Sequence, residues 1–236
     1  MDDKLGELVL RLQSRFSDRL VAAILYGSAA TGDWNKGASD FNVLCVLTQV
    51  SSRELAESEP IFRWWRDQGN PPPLLMSETE VRTSTDCFPM EFHDMKVHRR
   101  VLAGSDVIAN LEIDRSFYRA QVEHELRAKL LRLRQKAAEA LVRPEALAKL
   151  LSDSVSTFCV LGRHALLLAG REARWAKRDV IGDMEKVLGM RFEGFSTVLN
   201  IRADGKLPKD VSAVVLFEKY LTEVDALVTF VDRIDK

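Results

Sequence analysis

The chain has very little cysteine. Cys45, Cys87 and Cys159 are spread over 236 residues and form no close pair. This scarcity excludes a disulfide-rich secreted domain, and no cysteine spacing matches a zinc cluster. An odd number of cysteines in apolar surroundings is typical of buried thiols in a reducing compartment, so we expect a cytoplasmic protein.

Long apolar runs and a strong charge of either sign are also missing. No stretch approaches the roughly 20 apolar residues that a membrane span needs, so we expect no membrane partner. The first residues, MDDKLGELVLRLQSRF, are charged at once, and we expect no secretory signal there. The net charge of -1 argues against a general nucleic-acid binder, and nucleic acid is not an expected partner.

Two patterns of apolar residues divide the chain. In the first part short apolar runs alternate with helical spacing, and we predict strands over 21–26, 41–47, 74–76 and 88–95. In the second part apolar residues recur every three or four positions, and we predict helices over 114–142, 144–170, 176–188 and 209–234. We therefore predict an α/β (α+β) fold, with a mixed-sheet domain over 1–110 and an all-α helical bundle over 111–236.

The stretch LYGSAATGDWNKGASDFNVLCVL, from Leu25 to Leu47, combines small, polar and acidic residues between two predicted strands. Gly27 lets the backbone approach a phosphate closely, and Ser28 offers a hydroxyl. In a strand, positions 40 and 42 point to the same face. Two acidic groups at those positions would hold Mg²⁺ against a triphosphate, and a third carboxylate from a neighbouring strand could complete the site.

This arrangement resembles the signature of the DNA polymerase β-like nucleotidyltransferase superfamily, in which a strand ending in Gly-Ser is followed by Asp-x-Asp on a second strand. The chain is similar to the bacterial minimal members with a helical C-terminal domain, such as aminoglycoside nucleotidyltransferases. The stretch FPMEFHDMKVHRRVLAGSD resembles the strand that carries their third carboxylate. The resemblance implies that Gly27 and Ser28 contact the nucleotide phosphates, and that Asp40 and Glu91 are catalytic residues that bind metal.

Asn42 departs from the pattern, because it fills the position of the second aspartate. An amide oxygen can coordinate Mg²⁺ or Mn²⁺ but brings no negative charge, so metal binding and catalysis should be weaker. We therefore expect Asn42 to be a neutral metal ligand and a nucleotide-binding residue. The leading hypothesis is a Mg²⁺-dependent nucleotidyltransferase that acts on a hydroxyl of a small molecule or protein.

The main alternative is a catalytically impaired module that keeps the nucleotidyltransferase fold and binds a nucleotide or a protein partner. The neutral side chain at position 42 favours this alternative, whereas the retained Asp40 and Glu91 favour the enzyme. A third hypothesis is an antitoxin-like partner of another chain. The sequence leaves a homodimer open.

Other residues near Glu91 have alternative roles. A strand would place Glu91 and His93 on one face and Asp94 on the other, which favours Glu91 over Asp94 as the third carboxylate. His93 and His98 could assist proton transfer, but a hydrogen-bonded structural histidine is the more common case.

Further candidates lie elsewhere in the chain. The basic stretch 127–136 could contact nucleic acid or a triphosphate, but such residues are usually a solvated helix face. Glu123 or Glu125 could be a general base, as a helical-domain carboxylate can be in related antibiotic-modifying enzymes. Trp64 and Trp65 could stack on a base or pack in the core, and the core is the expected place for Trp65.

Overall fold

The computed structural model describes residues 2–31 and 41–234, with only the backbone at positions 2 and 31. The chain divides into two compact units, Met1–Ser116 and Phe117–Lys236. Domain limits at residues 110 and 111 stay a prediction. No helix in the described part of the chain is both long and apolar enough to cross a bilayer.

A four-stranded mixed sheet forms the centre of the first unit. Its strands are β1 (Leu20–Tyr26), β2 (Asn42–Leu47), β3 (Leu74–Ser77) and β4 (Arg99–Gly104). Their order across the sheet is β3-β2-β1-β4. Strand β1 is antiparallel to β2 and β4, and β2 is parallel to β3.

Helices cover both faces of this sheet. They are α1 (Asp2–Phe16), α2 (Ser28–Thr31), α3 (Ser52–Asp67), α4 (Glu78–Thr83) and α5 (Pro89–Val97), with a 3₁₀ turn at Ser17–Arg19. Odd-numbered residues of β1 and β2 pack with α1 and α3, whereas even-numbered residues pack with α4 and α5. Because both faces are buried, β1 and β2 appear in the sequence as continuous apolar runs.

The predicted strand at 88–95 is wrong, because this segment forms helix α5, and the fourth strand follows it as β4. Pro89 occupies the first turn of α5, where its missing N–H is not needed. Phe92 and Met95, three residues apart, are both buried on one side of the helix. The alternation of Phe88, Met90 and Phe92 suggested a strand, but the proline and the helical spacing decide the structure.

Five helices make up the described part of the second unit. They are α6 (Tyr118–Ala140), α7 (Pro144–Leu168), α8 (Lys177–Leu188), α9 (Glu193–Asp204) and α10 (Ala213–Arg233). Helix α7 packs against the other four, because its buried residues surround most of its circumference. Helix α9 was not predicted, although Phe195, Val198 and Leu199 have helical spacing and are buried.

The predicted architecture, a mixed sheet with helices followed by an all-helical part, is confirmed. The expectation of buried thiols holds for two cysteines only. Cys45 and Cys159 are buried, whereas Cys87 is exposed. Burial raises the pKa of both buried thiols to about 12, so they stay protonated at neutral pH.

Candidate functional site

The Gly-Ser pair forms a tight turn where β1 ends. Gly27 has a φ of +75°, in the left-handed region that favours glycine. Its carbonyl oxygen accepts a hydrogen bond of 2.9 Å from the backbone N–H of Ala30. The hydroxyl-bearing residue Ser28 starts the short helix α2 directly after this turn and is partly exposed.

Asn42 lies against this turn. It is the first residue of β2 and pairs with Tyr26 across the antiparallel ladder. A Cβ atom added to Gly27 would lie 2.9 Å from Nδ2 of Asn42, which is too close for an undisturbed contact. The structure therefore places Asn42 next to Gly27, and both residues are partly exposed.

Glu91 reaches the same region from a different element. It is an exposed residue in the first turn of α5, not a strand residue as predicted. Burial and, to a lesser degree, the nearby charge of Glu91 raise the pKa of Tyr26. Glu91 therefore acts electrostatically on Tyr26, the residue that immediately precedes Gly27.

Tyr26 is a site residue that the sequence analysis missed. The residue is partly buried, and this burial raises the pKa of its hydroxyl above the ordinary value. The signal was present, because Tyr26 is the one side chain with a polar group in the apolar run that ends at Gly27.

The reason for preferring Glu91 over Asp94 no longer holds. Residues three apart lie on the same side of a helix, so α5 does not point these two carboxylates in opposite directions. Asp94 Oδ1 lies 3.4 Å from Nδ1 of His93, and both residues are half-buried. Asp94 therefore stays an alternative to Glu91.

The donor set can be compared with the needs of a divalent cation. The four strands of the described part of the chain contain no Asp or Glu, and Asp40 lies outside the described residues. The candidate carbonyl-type donors among the described residues are the amide oxygen of Asn42 and the carboxylate of Glu91, with that of Asp94 as the alternative. These are hard oxygen ligands that suit Mg²⁺ or Mn²⁺ in type.

The basic stretch 127–136 is largely paired with carboxylates in its own unit. Arg127 contacts Glu123 at 2.8 Å, and Lys129 contacts Glu125 at 3.3 Å. Both pairs span one turn of α6 and are partly or largely exposed, which supports a solvated helix face. These contacts also engage both glutamates that we considered as general bases.

A buried histidine and the two candidate tryptophans are held by contacts with other side chains. His164 is fully buried, and its Nδ1 is 2.6 Å from the hydroxyl of Tyr118. Trp65 is fully buried in the core of the first unit, as expected. The ring of Trp64 is half-buried and lies under the guanidinium of Arg11, 4.3 Å from its carbon atom, so it is not a free stacking surface.

Comparisons with known proteins agree with this geometry. Residues 5–101 match the nucleotidyltransferase domain family. The fold is similar to that of spectinomycin adenyltransferase AAD(9) from Enterococcus faecialis, crystallised with ATP and spectinomycin. The TM-score is 0.60 over 94% of this chain and 98% of that chain, at 11% sequence identity. No curated protein sequence matches the chain.

The matched segment contains every candidate residue described for this site, from Tyr26 to Asp94. At 11% identity the similarity to the adenyltransferase concerns the fold alone. The match to the nucleotidyltransferase domain family supports nucleotidyl transfer. The match over residues 5–101 and the similar fold support a DNA polymerase β-like nucleotidyltransferase domain in the N-terminal part of the chain.

Proposed function

We propose that this protein transfers a nucleotidyl group from a nucleoside triphosphate to a hydroxyl group of a small molecule or a protein, with Mg²⁺ or Mn²⁺. The observation that carries the proposal is the contact between the Gly27 turn and Asn42, inside the matched domain. The structurally similar adenyltransferase was crystallised with ATP and spectinomycin, which supports a triphosphate donor and a small acceptor.

The reaction would exchange one phosphorus–oxygen bond for another. The acceptor oxygen attacks the α-phosphorus, the bond to the bridging oxygen breaks, pyrophosphate leaves, and the hydroxyl proton passes to a base. Positioning and charge stabilisation supply most of the catalysis in such transfers. The backbone at Gly27 and the hydroxyl of Ser28 would hold the phosphates.

Asp40, Asn42 and Glu91 would hold the cation, with Asn42 as the uncharged ligand. When bound, the cation would neutralise charge on the phosphates. Tyr26 is protonated at neutral pH, as tyrosine ordinarily is, so its hydroxyl could donate a hydrogen bond beside the turn.

A second candidate is the catalytically impaired module, which would bind a nucleotide or a protein without transfer. The absence of carboxylates from the strands of the described residues favours it, because the sheet then adds no charge to hold a cation. A cytoplasmic location also stays part of the proposal, since the sequence has only three cysteines and no close pair among them. A homodimer stays a prediction.

Titration calorimetry with ATP, GTP, CTP and UTP, with and without Mg²⁺, tests the proposal. We expect binding that depends on Mg²⁺ and that weakens about tenfold or more in Asp40→Ala, which corresponds to about 1.4 kcal/mol. Asn42→Asp should strengthen Mg²⁺ binding, because it restores a negative charge. The matched control is Asp210→Ala, which removes an exposed aspartate of the second unit.

The outcomes separate the two candidates. Metal-dependent binding together with pyrophosphate release in the presence of an acceptor supports the enzyme. Binding that is indifferent to metal and to Asp40→Ala supports the impaired module. Absence of binding for all four triphosphates contradicts both nucleotide hypotheses.

A further inference from the structure

Phe41, the residue just before β2, is held through both its main chain and its side chain. Its backbone N–H donates a hydrogen bond of 3.2 Å to Oδ1 of Asn70. Its ring centroid lies 6.1 Å from that of Trp65. Phe41 and Trp65 are buried, with exposed fractions of 6% and 0%. Trp65 in the last turn of α3 and Asn70 just after that helix therefore hold the start of β2.

Asn70 is itself rigidly placed. Its backbone N–H donates to the carbonyl oxygen of Trp65 at 3.4 Å. Pro71, Pro72 and Pro73 follow it and lead into β3. A proline restricts the backbone of the residue before it, so the conformation of Asn70 is limited from both sides. Its Oδ1 is a preformed acceptor for the Phe41 N–H.

The position of Phe41 affects the candidate site through the single peptide bond that joins it to Asn42. Phe41 is followed by Asn42, whose side-chain amide lies against Gly27. A shift of the Phe41 backbone would move Asn42 away from the turn, and a small misplacement in a binding site has a large effect on function.

We infer that Asn70 is a positioning residue of the nucleotide site: it holds the start of β2 so that Asn42 stays beside Gly27. This inference rests on the proposed function. Asn70 acts through Phe41 and is not itself a catalytic residue. Its Nδ2 is buried and has no hydrogen-bond partner among the described residues. A variant that keeps an oxygen atom but lacks Nδ2 can therefore test the role of Oδ1 alone.

The test compares Asn70→Ala, which removes both amide atoms, with Asn70→Asp, which keeps an oxygen acceptor. Hydrogen exchange followed by NMR should show the Phe41 amide exchanging about tenfold faster or more in Asn70→Ala, with the interior of β2 unchanged. The side-chain amide signals of Asn42 should shift in Asn70→Ala. In Asn70→Asp both readouts should return towards the original values.

Triphosphate binding provides the second readout. We expect the dissociation constant for Mg²⁺-ATP to rise about fivefold or more in Asn70→Ala and much less in Asn70→Asp. Asn110→Ala, which truncates an exposed asparagine of the same unit, should leave both readouts unchanged.

The outcomes distinguish this inference from the proposed function. If Asn70→Ala leaves exchange at Phe41 and the signals of Asn42 unchanged, or speeds up exchange throughout β2, the positioning role is refuted. If the original protein binds no triphosphate, the proposed function fails, and the exchange data still decide whether Asn70 holds the start of β2. Normal ATP binding by Asn70→Ala also overturns the inference.

Discussion

Replacing Gly27 with alanine tests the geometry of the candidate site most simply. Two effects should destabilise Gly27→Ala. The φ of +75° is unfavourable for alanine and costs about 1–2 kcal/mol. The new Cβ would also lie 2.9 Å from Nδ2 of Asn42, and displacing that amide should cost about 1 kcal/mol more.

The chain offers a matched control for the first effect. Gly69 has a similar φ of +85°, but an added Cβ would meet nothing within 4 Å. Alanine also restricts the unfolded chain, which offsets about 0.4–1 kcal/mol of the strain at either position. We therefore expect a net loss of about 1 kcal/mol for Gly69→Ala and about 2 kcal/mol for Gly27→Ala.

A double-mutant cycle isolates the contact with Asn42. In an Asn42→Ala background the nearby amide is gone, so Gly27→Ala should cost only as much as Gly69→Ala. Urea unfolding followed by circular dichroism gives the free energy of unfolding for each variant. Equal losses for Gly27→Ala and Gly69→Ala in the original background would refute the close approach of Gly27 and Asn42.

Three further predictions concern single ionisable groups. Glu91→Gln should lower the pKa of Tyr26 in an NMR titration, while burial keeps this pKa above its ordinary value. Hydrogen bonding by Ser51 lowers the pKa of Glu54 from 4.5 to about 2, so this carboxylate stabilises the fold above pH 4.5 and loses that effect as the pH falls to about 2. Acid unfolding of Glu54→Gln should therefore depend less steeply on pH across that range than acid unfolding of the original protein. The two carboxylate oxygens of Glu223 accept backbone N–H bonds at the start of α9, at 2.7 and 2.8 Å. Glu223→Gln should cost about 1–3 kcal/mol in a urea titration, because an amide N–H replaces one acceptor.

Much of the first unit could be predicted because its local signals agree with its packing. The apolar run of β1 ends just before Gly27, and that of β2 begins just after Asn42. The sequence therefore indicates the strand ends and the candidate site residues at the same positions. The prediction of a strand over 88–95 was wrong because apolar side chains at alternate positions fit a strand as well as a short helix. The distinguishing signal was Pro89, which suits a helix start and is unfavourable inside a strand.

The part of the site that could not be predicted depends on contacts between distant segments. Tyr26 becomes a site residue only because α5 brings Glu91 near the end of β1. Asn70 becomes important only because its side chain meets the backbone of Phe41, 29 residues away in the chain. Motif spacing carries no information about such pairs, since it describes only neighbours along a strand or helix.

The most direct test of the central claim is a crystal structure of the protein with a non-hydrolysable nucleoside triphosphate and Mn²⁺. We expect Mn²⁺ at about 2.1 Å from oxygen atoms of Asp40, with Asn42 or Glu91 as a further ligand, and the phosphates at the Gly27–Ser28 turn. A triphosphate bound elsewhere, or Mn²⁺ bound without any of these three side chains, would contradict the account.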